Sequence, residues 1–278
     1  MRKLKEYLNK PLSFAVFLLI IISTVITALT VVFIIGYIFI KGVPNLSLDL
    51  FSLKYSSSNQ SMLPSIINTV YLTALTLLLA VTIGIFSAIY LAEYSRKNSF
   101  FVKIINIANE TLSGIPSIVY GLFGFLAFVI SKKWGYSLLA GVITLAIMVL
   151  PLIIRTSQEA MLGVDNTFRE ASYGLGAGKL RTVFKIVLPS AMPGILSGII
   201  LAIGRIVGET AALIYTAGTV PEAATKLTSS SRTISVHLYC LLNEGLYTEQ
   251  AYATAVVLIV FVVIINALSN ALAKKIMK

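Results

Sequence analysis

Charge is what this sequence lacks. Only 12% of its 278 residues are Asp, Glu, Lys or Arg, 57% are hydrophobic, and the mean hydropathy is +0.91. A soluble domain carries about 25% charged residues, so the charge present cannot cover a water-facing surface. A disordered chain is excluded by the same shortage together with 14 Phe and 13 Tyr. Cys240 is the lone cysteine, which excludes a disulfide scaffold. It and the single histidine, His237, do not make a metal site, and neither metal nor cofactor is expected. The Gly-x-x-x-x-Gly-Lys-Ser/Thr loop is missing too, so the chain does not bind ATP in the P-loop manner and its energy must come from a partner. No catalytic constellation, internal repeat, coiled-coil heptad or low-complexity segment is present.

What is there is a set of long apolar blocks, the mark of a membrane protein. A bilayer core about 30 Å thick needs roughly 20 apolar residues in helix. Residues 12–40, 66–92 and 251–273 supply three charge-free blocks, and 137–154 a shorter fourth. Two more blocks carry ionisable groups: 104–130 holds Glu110 near its start, and 190–215 holds Arg205 and Glu209 in its second half. The fold class read from this is all-α, a polytopic membrane protein of six transmembrane helices. The basic start at Arg2, Lys3, Lys5 and Lys10 resembles that of a signal peptide, but the block behind it far exceeds the 7–15 residues, roughly, of a cleavable segment, so it is expected to remain as a helix.

Orientation follows from the basic residues. With the N-terminus inside, the cytoplasmic side holds those four, then Arg96, Lys97 and Lys103, then Arg155, Arg169, Lys179, Arg181 and Lys185, then Lys274, Lys275 and Lys278. The outer side holds only Lys41, Lys54, Lys132, Lys133, Lys226 and Arg232, and both termini are therefore placed in the cytoplasm. Lys132 and Lys133 run against the bias. The net charge of +11 is thus a topology signal, scattered over short loops, and not a nucleic-acid footprint.

Three loops have room for function: 41–65 and 216–250 outside, and 155–189 inside. In the last, Thr167 with Glu170 fits a capping box, with Asp165 or Asn166 as caps one turn earlier. Phe168, Ala171 or Ser172, and Leu175 give a short apolar face at helical spacing. Gly174, Gly176 and Gly178 stop the helix, and Pro189 starts the next span. Such a helix either docks in a groove of a cytoplasmic partner or lies on the lipid surface.

Glu170-Ala171-Ser172, three residues, Gly176, nine residues, Ile186, one residue, Leu188-Pro189 resembles the EAA signature of the permease subunits of bacterial ABC importers, with Ser172 where the family usually has Ala. The resemblance implies the type I importer permease fold and a coupling loop at 156–189 that sits in a cleft of the ATP-hydrolysing subunit. It divides the chain into an N-terminal helix with its outer loop, 1–65, and a transmembrane core, 66–273. The stretches 204–210 and 114–124, GRIVGET and GIPSIVYGLFG, are similar to the phosphate-specific members, whose paired permeases are called PstA and PstC. The segment 210–221 and the short N-terminal region suit PstA better. Implied with it are a second permease, two ATP-binding subunits, an extracytoplasmic phosphate-binding protein and a place in the bacterial inner membrane. The chain itself would be no enzyme.

Arg205 and Glu209 would share one helix face, four residues apart. Each alone costs about 2.5–3.5 kcal/mol or more at mid-membrane. Gly194, Gly198, Ala202, Arg205, Glu209 and Ala212 trace one stripe, and Gly204 with Gly208 an adjoining one, so this helix is expected to pack closely on another. Two roles fit the pair. One is a static bridge; the other is a substrate pathway in which Arg205 meets the phosphate oxygens and Glu209 holds Arg205 when the path is empty. Glu110 is either a third pathway residue or a carboxylate at a helix start or snorkelling to the interface. Gly114 and Pro116 break the helix that follows, which requires protein around the freed carbonyls. Permeases for phosphonate, molybdate or sulfate share the EAA loop, and a proton-coupled secondary transporter using the three ionisable residues is a rival of a different class.

Overall fold

The computed structural model describes residues 11–96 and 99–276, and among these it contains helices and no strand. Arg2, Lys3, Lys5, Lys10, Lys97 and Lys278, which contribute to the orientation argument, lie outside the described residues. The helices are α1 (Pro11–Gly42), α2 (Leu63–Ile89), α3 (Phe100–Ser113), α4 (Ser117–Gly124), α5 (Leu138–Leu162), α6 (Asn166–Gly174), α7 (Lys179–Thr182), α8 (Leu188–Val207), α9 (Ala211–Thr216), α10 (Ile234–Glu244) and α11 (Thr248–Ile276). Single π-helical turns extend α2 through Tyr94 and α4 through Ser131, and another joins α7 to α8.

The core is built on α5, which lies between α2 and α8. Leu72, Thr76, Ala80, Gly84 and Ala88 recur every fourth residue along α2, and all are buried. That row is an i±4 ridge, and it meets the buried Leu145, Met148, Val149 and Ile153 of α5. A Cβ on Gly84 would stand 2.6 Å from the Ile153 side chain. On the other side of α5, a Cβ on Gly194 would stand 2.6 Å from that of Ala160, and one on Gly198 would overlap Thr156. The small-residue stripe thus does pack on another helix, as van der Waals contact between close backbones in lipid requires. α1 touches α11 near one end, where Tyr37 and Tyr252 meet edge to face with centroids 5.9 Å apart. Most of its other apolar side chains, Val32 and Phe33 among them, are exposed.

Two of the six expected spans are not single helices. The block 104–130 is α3 and α4, bent by 102° at residues 114–116. Pro116 has no N–H to donate and pushes the residue before it out of the α region, so the helix cannot continue through it. The block 190–215 is α8 and α9, separated at Gly208, Glu209 and Thr210, where Thr210 has φ −123° and ψ −55°. The block 137–154 is longer than expected and runs on to Leu162. Among the described residues five helices are therefore long and apolar enough to cross a bilayer, or six where the bent pair counts as one span.

At one end of the bundle the segment after α9 folds back over the starts of α5 and α2. The Ser137 N–H donates to Thr216 O at 3.0 Å, and those of Leu138 and Leu139 donate to Ser229 O and Leu227 O, both at 2.9 Å. α6 lies at the opposite end.

Candidate functional site

The loop helix α6 forms as expected, and of the caps the sequence offers it uses Asp165. Asp165 Oδ1 accepts the Thr167 N–H at 2.9 Å, and this hydrogen bond holds the Asp165 carboxyl below the usual carboxylate range. Thr167 and Glu170 lie inside the helix, so no capping box is made. The C-terminus closes when the N–H groups of Gly176 and Ala177 donate to Tyr173 O and Ser172 O. Of the three glycines only Gly176 takes a left-handed conformation, φ +81°.

The faces of α6 are sharply divided. Ser172 points inward, 4% exposed, with its Oγ 2.8 Å from Thr182 Oγ1. A small hydroxyl is accommodated there by a hydrogen bond that an alanine would not make. Phe168, Ala171 and Leu175 point outward beside Glu170, and Leu175 is 89% exposed. Ile186 and Leu188 are half-buried where the chain re-enters the bundle, and the exposed Pro189 stands in the first turn of α8, where a missing N–H is tolerated.

Arg169 and Glu93 are residues that sequence reasoning missed. Arg169 Nη2 donates to Glu93 Oε1 at 2.7 Å and to Met161 O at 2.8 Å, and Nη1 donates to Val164 O at 2.7 Å. The two side chains are only 13% and 6% exposed. The guanidinium thereby occupies carbonyls at the C-terminus of α5, which an intrahelical donor cannot reach. The signal available beforehand was Glu93 itself, an acid standing alone just past an apolar block on a side rich in basic residues.

The half-helices that follow the two breaks, α4 and α9, lie side by side. A Cβ on Gly121 of α4 would stand 2.8 Å from Ala212 Cα of α9. One carbonyl at each break takes a side-chain hydroxyl from within the chain: Tyr120 Oη donates to Leu112 O at 2.8 Å, and Ser235 Oγ to Val207 O at 2.6 Å. Because α8 stops at Val207, Arg205 and Glu209 do not share a helix, and the expected bridge between them is not formed. Glu209, 8% exposed, instead accepts the Ala212 N–H at 3.0 Å and caps α9. Arg205 is half-buried within electrostatic reach of Tyr120, and among the described residues it has neither a hydrogen-bond partner nor a paired carboxylate.

Glu110 is not brought to this place. It is exposed in the last turn of α3, not at a helix start, and lines an open cleft of about 190 Å³ with Asn106, Asn109, Arg155 and Glu159. His237, expected to be incidental, is fully buried; desolvation pushes its pKa down to about 3. The Arg232 guanidinium lies 4.7 Å from the Tyr55 ring, and that ring meets His237 edge-on.

Comparison with known proteins gives the family and the fold. The chain is 34% identical over 275 residues, 95% of this chain and 93% of the other, to the phosphate transport system permease protein PstA of Pasteurella multocida. It is 32% identical over 249 residues, 83% and 84% of the two chains, to the probable ABC transporter permease protein YqgI of Bacillus subtilis. Its fold superposes on a chain of a bacterial ABC transporter involved in alginate import with a TM-score of 0.69, at 18% identity and 100% coverage of both. A chain of the MetNI methionine ABC transporter gives 0.66, also at 18% identity, with 78% and 96% covered. The family of binding-protein-dependent transport system inner membrane components matches residues 80–278, and the chain belongs to that family.

Proposed function

We infer that this chain is the permease subunit of an ABC importer that moves inorganic phosphate into the cytoplasm, with ATP hydrolysed on partner subunits. Arg205 carries the pathway part of this reading. A half-buried cation inside the bilayer with no paired carboxylate among the described residues is costly. It sits beside two broken helices, where irregular backbone at membrane depth is tolerated because protein or a water-filled path surrounds it. A planar guanidinium there suits a tetrahedral oxyanion, which it can hold with two parallel hydrogen bonds. Similarity to phosphate transport permeases in several organisms supports phosphate as the anion. The role of Glu209 is to hold α9 in place beside Arg205.

α6, with Phe168, Ala171, Glu170 and Leu175 outward, is the element that enters a groove of the ATPase, and its end of the bundle faces the cytoplasm together with both termini. A second permease completes the path, and a phosphate-binding protein docks at the α10 end. The test is uptake of labelled phosphate by the assembled complex in proteoliposomes. Arg205→Gln should abolish ATP-dependent uptake while the four kinds of subunit still copurify. Uptake that survives in this variant, or uptake in the native complex driven by a proton gradient without ATP, would overturn the reading.

A further inference from the structure

The two spans that remain unbroken at the core, α2 and α5, are tied at both ends to the same two outlying elements. At the α6 end, Arg169 is bonded to Glu93 on the last turn of the α2 span and to the carbonyls of Met161 and Val164 at the end of α5. The pair is nearly enclosed, so removing one partner leaves a buried charge without compensation. Lys179 adds a second tie, its Nζ lying 4.8 Å from the Tyr94 ring centroid.

At the α10 end, Asn68 is fully buried and uses its whole amide. Its Nδ2 donates to Glu222 O at 2.9 Å and to Arg232 O at 3.1 Å, and its Oδ1 accepts the Ala224 N–H at 2.8 Å. Thr69 Oγ1 accepts the N–H of Ile234, the first residue of α10, at 3.0 Å. α5 is held to the same segment through the Leu138 and Leu139 N–H groups.

We propose that Glu93 and Asn68 are positioning residues, the lower and upper joints of a strut made of α2 and α5, through which displacement of α6 is passed to α10. The physical case rests on contrast. α2 and its π-helical extension run without a break from Leu63 to Tyr94, and at about 1.5 Å per residue the two joints are roughly 37 Å apart along one helix. The ridge of every fourth residue locks that helix to α5. Two other paths, through α3 with α4 and through α8 with α9, are interrupted midway, and a bent or broken helix yields instead of transmitting an axial push. One pair of spans is thus built to bend around the anion, the other to stay rigid.

This proposal rests on the importer reading, and its test separates the two. In proteoliposomes, ATP hydrolysis by the complete complex is measured with and without saturating phosphate-loaded binding protein. Glu93→Gln and Asn68→Ala should each lower the ratio of stimulated to basal hydrolysis by about fivefold or more, a loss in the range of coupling energies between sites, with basal hydrolysis retained. The double variant should lose no more than the worse single one, because both cut the same link. Thr69→Val removes the hydrogen bond from the Ile234 N–H, along with the hydroxyl's own bond to Ser65 O within α2, and leaves the ridge intact, so it supplies the same readout should Asn68→Ala fail to assemble. Arg169→Lys keeps a cation beside Glu93 but not the fork to the α5 carbonyls, and should fall between native and Glu93→Gln. An unchanged ratio in assembled Glu93→Gln or Thr69→Val complexes, or losses that multiply in the double variant, would overturn the proposal. Failure of the importer reading would appear elsewhere, as a native complex without ATP-dependent uptake.

Discussion

Gly176 offers the most direct test of α6 as the coupling element. Its φ of +81° lets its own N–H and that of Ala177 reach Tyr173 O and Ser172 O and end the helix. A Cβ there would meet nothing within 4 Å, so bulk is not the obstacle. The obstacle is the backbone, since a left-handed conformation costs an L-residue roughly 1–2 kcal/mol and is a true outlier for a β-branched one. Gly176→Val must either carry that strain or give up the two terminal hydrogen bonds, worth about 0.5–1.5 kcal/mol each. Either way, a penalty of one or two kcal/mol shifts the share of correctly terminated α6 by about 5–30-fold. Phosphate uptake and ATP hydrolysis measured side by side should show at least a fivefold fall, approximately, in phosphate moved per ATP, with assembly unaffected. Gly176→Asn, whose side chain tolerates the left-handed region, should remain near native. A valine variant with native uptake per ATP would refute α6 as the coupling element. Equal loss in both variants would refute the backbone argument.

Other predictions follow from packing and protonation. Gly198→Leu forces a side chain into Thr156 at the seam of α5 and α8, and should destabilise the chain by about 1–3 kcal/mol or more, read as a lower unfolding temperature in detergent. Gly204→Ala, at a position with open space around it, should leave that temperature unchanged. His237 is held neutral by burial, with its folded pKa about 3, below the unfolded value near 6.5. The unfolded chain therefore binds more protons as pH falls, and stability declines from about pH 6.5 down to about 3, by at most roughly 1.4 kcal/mol per pH unit. Unfolding of His237→Leu followed across this range should be visibly less acid-sensitive than that of the native chain; matching slopes would show that the histidine is not the titrating group.

Part of the structure was legible because it depends on local chemistry. The loop helix could be read from Asp165, Gly176 and the apolar spacing between them, since caps and helix faces are set within a few residues. The close packing of Gly194 and Gly198 was readable for a similar reason: missing side chains announce a near neighbour, although not that the neighbour is α5. The static bridge, one of the two roles read for Arg205 and Glu209, is not made. Spacing alone suggested a shared helix face, and the break at Gly208 to Thr210 turned the carboxylate to the Ala212 N–H instead. Glu110 was grouped with them for its charge and lies in another cleft.

Taken by itself, the sequence determined that the chain lives in a bilayer, where its apolar blocks run and which short loop folds as a helix with an apolar face, because hydropathy and capping are properties of contiguous residues. Tertiary structure decided the rest. Glu93 and Arg169 are 76 residues apart, Asn68 and Arg232 are 164 apart, and no periodicity links either pair. Such pairs meet only once α2 has found α5, and it is that packing which decides where each buried charge can be satisfied.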